Sequence, residues 1–151
     1  MRKIIIGEKQ DCDYRKTCYG IAMMDNKILI SYNKNIDEYT LPGGGVELNE
    51  GIVEALKREF LEEVGCEILD VSELINVDCF WIKRNGKKME TDAHFFLVRI
   101  NQVDNFKPLE DFHLPLWVER EKVLNIIEFP YQRKALEFFK ENYDKFDFNF
   151  N

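Results

Sequence analysis

Apolar, strand-favouring residues gather in two short runs, 18–24 and 27–32, separated by Asp25-Asn26, a pair suited to a tight hairpin turn. The polar stretch 33–38 reads as loop, and the Pro-Gly-Gly-Gly run at 42–45 reads as a turn or loop that interrupts the pattern. Over 49–64 the period becomes helical. Ile52, Leu56, Phe60 and Val64 recur every fourth position, with Val53 and Leu61 widening the stripe. Asn49 is the expected N-cap, and Gly65 stands where a C′ glycine ends a helix. Residues 68–81 then look extended, 84–87 (Arg-Asn-Gly-Lys) fit a hairpin turn, and 94–100 form a Phe- and Val-rich strand. A loop punctuated by Pro108 and Pro115 leads to helices expected at 119–127 and 131–143, the second carrying Ala135, Leu136, Phe138 and Phe139 for packing on a sheet. This order predicts an α/β fold of the α+β type, a mixed sheet sandwiched between helices rather than a doubly wound sheet.

The chain has 151 residues, enough for a single domain with a sizeable core and too few for two full domains. No segment is low in complexity or repeats at a solenoid period. Its formal net charge of −7 argues against a nucleic-acid polymer or an anionic membrane as the main partner. A polyanionic small molecule stays open, because a bound divalent cation reverses the local field. Cys12, Cys18, Cys66 and Cys79 form no C-x-x-C pair, which leaves zinc and a disulfide scaffold unsupported. The apolar run within residues 1–8 is too short for a signal peptide, and no stretch approaches the ~18 apolar residues of a membrane span. The expected compartment is the reducing cytoplasm.

Candidate chemistry concentrates between residues 44 and 66. Glu59, Glu62 and Glu63 are spaced to cluster on one helical face. Taken alone, such a charge run is a solvated acidic surface. Held together, the like charges call for a hard divalent cation, since Mg²⁺ and Mn²⁺ prefer carboxylate oxygens. Arg58 follows Glu54 by four and precedes Glu62 by four, so it can orient a carboxylate. The glycines upstream let backbone approach closely and can lend a carbonyl ligand or phosphate-facing amides.

The segment resembles the Nudix box, Gly-x5-Glu-x7-Arg-Glu-U-x-Glu-Glu-x-Gly-U, where U is bulky and aliphatic. Gly44, Glu50, Arg58, Glu59, Glu62, Glu63 and Gly65 fill its fixed positions, while Phe60 and Cys66 occupy the U positions. Leu41-Pro42-Gly43 and Trp117-Val118 extend the likeness more loosely, and one Nudix domain is expected over 1–151, with its box at 44–66. The resemblance implies the Nudix fold and a loop-helix-loop holding divalent metal, Mg²⁺ or Mn²⁺, against a diphosphate. It implies Gly44 (through its carbonyl), Glu59, Glu62 and Glu63 as metal ligands, with Arg58 and Glu50 orienting them. Glu59, Glu63 and Arg58 are thereby candidate catalytic residues, joined by Glu110 and Asp111 as candidates for a distal acidic base.

Tyr39, Arg15 and Lys34 are candidate substrate contacts: Tyr39 could stack on a base, Arg15 and Lys34 could reach a phosphate. His94 and His113 read as structural or incidental, and Trp81 and Trp117 as packing residues. The resemblance implies a MutT-like, Mg²⁺-dependent pyrophosphohydrolase acting on a small-molecule nucleotide, a nucleoside triphosphate or related diphosphate-X compound, and it allows a homodimer. The alternatives are a catalytically silent nucleotide sensor on the same fold and an isomerase sharing it. An intact box, and the lack of a helix-turn-helix segment, weigh against the sensor.

Overall fold

The computed structural model describes residues 2–101 and 105–148. Its strands are β1 (Lys3–Ile6), β2 (Asp13–Met24), β3 (Lys27–Asn33), β4 (Glu38–Thr40), β5 (Gly43–Gly45), β6 (Ile68–Ile82), β7 (Lys88–Ile100) and β8 (His113–Glu119). Its helices are α1 (Ile52–Glu63) and α2 (Pro130–Glu141). The strands run in the order β1-β6-β7-β2-β3-β4, with β5 also on β2 and β8 also on β3. The sheet is mixed: β1 is parallel to β6 and β2 to β7, whereas β6 and β7 are antiparallel. The expected fold class is the one observed.

Alternation along the strands builds the two layers. On β2, Cys18 and Ala22 face the cluster formed with Ala55, Leu56 and Phe60 of α1; Tyr19 and Ile21 face the cluster formed with Ala135, Leu136 and Phe139 of α2. On β7, Phe96 and Val98 join the α1 side, and Ala93, Phe95 and Leu97 join the α2 side. A period-2 strand must send successive side chains to opposite faces, so each long strand contributes to both cores. None of the helices among the described residues is long and apolar enough to cross a membrane.

The hairpin turn at Asp25 and Asn26 has φ of 50° and 63°, the left-handed pair that a two-residue turn demands. Gly65 ends α1 as expected, with φ of 79° and its N–H donated to the Phe60 carbonyl. Other boundaries differ from the local pattern. Residues 43–45 are a strand rather than a loop, paired with Thr17 to Tyr19. Glycine in a strand marks close approach by other groups, and here they are catalytic candidates. The helix begins after Gly51, not at Asn49, whose φ of 67° belongs to the preceding turn. The Gly51 N–H donates to Glu54 Oε2, so Glu54 caps the first turn.

The helix expected at 119–127 reduces to a 3₁₀ turn at Val123–Asn125. Upstream of it, 113–119 is drawn into β8, whose whole length pairs with β3. Pro115 is tolerated there because β8 lies at an edge, bonding among the described strands to β3 alone. β1 and the first five residues of β2 were not anticipated; they carry mostly exposed or half-buried residues and gain order from pairing with β6 and β7.

Phe60 is fully buried between α1 and the sheet, while its neighbour Leu61 is 40% exposed despite belonging to the apolar stripe. Phe60→Ala should cost about 3–5 kcal/mol of stability, and Leu61→Ala less than about 1 kcal/mol. Urea unfolding of both variants checks this. Equal losses would mean that α1 does not pack as described.

Candidate active site

The centre of the site is the Arg58 guanidinium, on the same helix as Glu59, Glu62 and Glu63. Arg58 Nε donates to Glu50 Oε2 at 2.7 Å and one terminal nitrogen to Glu50 Oε1 at 3.0 Å, a two-point clamp. That same nitrogen donates to the Gly45 carbonyl at 3.0 Å, which ties β5 to α1. The other nitrogen donates to Glu59 Oε1 at 3.1 Å and to Glu62 Oε2 at 3.2 Å. The Glu50 carboxyl is lowered to about 2, chiefly by its hydrogen bonds from Arg58 and secondarily by the Glu47 N–H.

Glu63 is the buried acid of the group, 3% exposed. The Gly43 N–H donates to its Oε2 at 2.8 Å, and His113 Nδ1 lies 3.7 Å from its Oε1. Burial pushes the Glu63 carboxyl well above the ordinary glutamate value; the Glu59 charge adds to this and the Gly43 N–H opposes it. Burial likewise raises Glu59, against the pull of a hydrogen bond with Glu63 and the charge of Arg58. On its far side His113 reaches Glu110 Oε1 through Nε2 at 3.1 Å, making a Glu63–His113–Glu110 row. The Glu110 N–H donates to the Glu62 carbonyl at 3.0 Å, so the 105–113 segment is stitched to the end of α1.

These groups open onto a cleft of about 740 Å³. Arg15, Gly43, Gly44, Glu59, Glu63 and His113 line one part of it; Trp81, Met89, Phe129, Tyr131 and Gln132 line another. Gly44 sits against Glu59 so closely that a Cβ there would stand 2.7 Å from Oε1. Its carbonyl accepts a thiol contact from Cys18 Sγ at 3.7 Å. The carboxylates are shared out among Arg58, the Gly43 N–H and His113, and among the described residues no three Asp, Glu, His or Cys side chains converge as a ready-made metal shell.

Residues 15–139 match the family described as NUDIX domain. The chain belongs to the NUDIX family. It is 31% identical over 112 residues to Nudix hydrolase 21, chloroplastic, of Arabidopsis thaliana, covering 74% of this chain and 55% of that one. It is 56% identical over 66 residues to the 8-oxo-dGTP diphosphatase of Buchnera aphidicola subsp. Acyrthosiphon pisum, covering 44% and 48%. The chain thus spans about half the length of these curated relatives. The crystal structure of a MutT NUDIX hydrolase from Burkholderia pseudomallei aligns with a TM-score of 0.63 and 25% identity, over 83% of this chain and 97% of that one.

Within this NUDIX domain, the residues read from the box lie together: Gly44, Glu50, Arg58, Glu59, Glu62 and Glu63 share one connected set of contacts. Arg58 engages Glu62 but not Glu54, which caps its own helix. Arg15 lines the cleft; Tyr39 and Lys34 lie outside the residues that line it, Tyr39 packing on Tyr32 with ring centres 4.9 Å apart. Asp111 is exposed, whereas Glu110 reaches the site through His113. Sequence reasoning missed His113 as a linker, because one histidine in an acidic loop has no local signature. It also missed the aromatic wall, since Trp81 and Tyr131 look like core until the topology brings β6 and α2 to one cleft. Trp81 does pack, and its Nε1 donates to Thr91 Oγ1 at 2.8 Å, but it also lines the cleft.

Because Glu50 is held below its ordinary value of 4.5, its pairing with Arg58 adds stability that is fully present above pH 4.5 and lost as pH falls toward about 2. Glu50→Gln should therefore be less stable than wild type at neutral pH, with the gap closing across that window. Urea midpoints measured along the pH series test this; a gap independent of pH would remove the charged pairing.

Proposed function

We propose that the chain is a single NUDIX domain working as a divalent-metal-dependent nucleotide pyrophosphohydrolase of the MutT-like kind. Water attacks one phosphorus of a nucleoside triphosphate, or of a nucleoside diphosphate carrying another group, and the phosphoric anhydride bond breaks. The observation that carries this reading is the pairing, in one cleft, of the buried Glu63 carboxyl and the half-buried Glu59 carboxyl beside Gly44 with an aromatic wall suited to a base. The name of the Buchnera relative, 8-oxo-dGTP diphosphatase, supports an oxidised purine nucleotide as one substrate. A reducing cytoplasm agrees with four free cysteines, three of them buried.

The donor set suits a hard cation. Glu59 and Glu63 are carboxyls that burial biases toward protonation, and an oxygen-seeking ion beside them favours the charged form. Glu59, Glu62, Glu63 and the Gly44 carbonyl would hold Mg²⁺ or Mn²⁺, and Gly44 has no side chain to fill the space against Glu59. When bound, the ion supplies Lewis acidity and lowers the pKa of water. The protein's own groups then act by position. Arg58 restrains Glu59 and Glu62, and Glu50 keeps Arg58 in place. Arg15 offers a positive charge to the phosphates. Glu110, connected through His113, is assigned the proton-accepting role ahead of exposed Asp111.

A phosphate-release screen over nucleotides should show turnover with Mg²⁺ or Mn²⁺ and none in EDTA; full activity with metal-free protein would sink the mechanism. Binding of a nucleotide without turnover would favour the sensor.

Two helix glutamates separate site from scaffold. Glu63→Gln keeps the size of the side chain and removes a metal-binding charge, so kcat should fall about a thousandfold or more. Glu54→Gln should change kcat by less than about tenfold, roughly 1.4 kcal/mol of barrier. In the absence of metal Glu63→Gln should also melt higher than wild type at neutral pH, because a buried carboxyl raised above its ordinary value opposes folding when charged. Near-normal turnover by Glu63→Gln would defeat the ligand assignment.

A further inference from the structure

One side chain on the aromatic part of the cleft has a fixed hydrogen-bonding direction. Gln132, in the first turn of α2, is 1% exposed and lines the cleft beside Tyr131. Its Oε1 accepts the Leu41 N–H at 2.7 Å. Only an oxygen can meet a backbone N–H, so this amide cannot be reversed without leaving a buried donor unpaired. What Gln132 offers the cleft is therefore Nε2, which carries two donors and no acceptor.

The surroundings make that polarity count. Trp81 stands edge-on to Phe129 with ring centres 6.1 Å apart and lies 5.6 Å from the ring of Tyr131. These apolar faces accommodate a planar heterocycle and keep water from replacing a lost hydrogen bond. Two carboxylates also line the cleft, Glu38 and Glu128, each giving one oxygen to Arg84, whereas Gln132 is the amide fully buried beside the rings.

We infer that Gln132 is a specificity-determining residue that selects nucleobases presenting a carbonyl oxygen over those presenting an exocyclic amine. At purine C6 or pyrimidine C4 a keto oxygen accepts a hydrogen bond, whereas an amino group donates one. A keto base completes Nε2; an amino base sets donor against donor, and both go unpaired. The inference rests on the reading of the cleft as a nucleotide site and adds the class of base.

Matched pairs isolate the effect: dITP differs from dATP in this respect at C6, and dUTP from dCTP at C4. The kcat/KM values with Mg²⁺, and the affinities read from tryptophan fluorescence, are measured for all four on wild type and Gln132→Glu. Glutamate retains an oxygen for the Leu41 N–H and replaces the donors with an acceptor. Wild type should favour dITP over dATP and dUTP over dCTP by about tenfold or more. Gln132→Glu should collapse or invert both ratios, a change that a purely structural loss, which lowers all four alike, does not produce. Equal use of keto and amino bases by wild type would overturn the assignment even if the variant does not fold. So would a uniform loss in a folded variant. Binding with the keto preference but no turnover would support Gln132 while defeating the hydrolase reading. The absence of both binding and turnover for every nucleotide would defeat both.

Discussion

The arrangement of the site depends on one guanidinium. Arg58 holds Glu50, Glu59, Glu62 and the Gly45 carbonyl together, and so fastens the helix, the loop before it and the short strand β5 into one unit. Glutamates at such spacings repel one another on a bare helix. An arginine has the planar, multi-donor geometry to hold several carboxylates at once, which a lysine point charge lacks. Its grip on Glu50 is the strongest of these contacts, and Glu50 in turn is anchored by the Glu47 N–H. The loop is therefore positioned by charge-assisted hydrogen bonds together with the packing of Val46 on the α1-side core.

Glu63 lies outside that grip and behaves differently. It is buried at the end of α1, met by the Gly43 N–H on one side and by His113 on the other. A buried carboxyl beside a second one is costly in the folded protein, and local instability of this kind is common where a charged ligand completes the site. The Gly43–Glu63 hydrogen bond also couples the helix end to β5, so the carbonyl of Gly44 and the carboxylates cannot drift apart independently. The row from Glu63 through His113 to Glu110 extends this polar system to the loop before β8.

Mixed pairing in the sheet sets the other half of the cleft. The parallel run of β2 along β7 places Arg15, Thr17 and Tyr19 across from Thr91, Ala93 and Phe95. It thereby lays a path from the acidic helix toward Trp81 and the start of α2. Gln132 and Leu41 join α2 to the link between β4 and β5 through a buried bond, so the aromatic wall and the glycine strand share one backbone support.

Much was legible in the residues themselves. The spacing of Gly44, Glu50, Arg58, Glu59, Glu62, Glu63 and Gly65 marked the family. The fourfold apolar period marked α1, and Asp25-Asn26 marked a hairpin, because each depends on neighbours only a few positions away. What needed the tertiary structure involves partners far apart along the chain. The glycines at 43–45 become a strand because β2 supplies their hydrogen bonds, and 113–119 becomes β8 because β3 does. His113 is a linker and Gln132 a fixed donor for the same reason: Glu63 lies 50 positions from the first and Leu41 lies 91 from the second. Local periodicity reports the conformation that a segment favours, and only chain folding determines which distant donors and acceptors meet it.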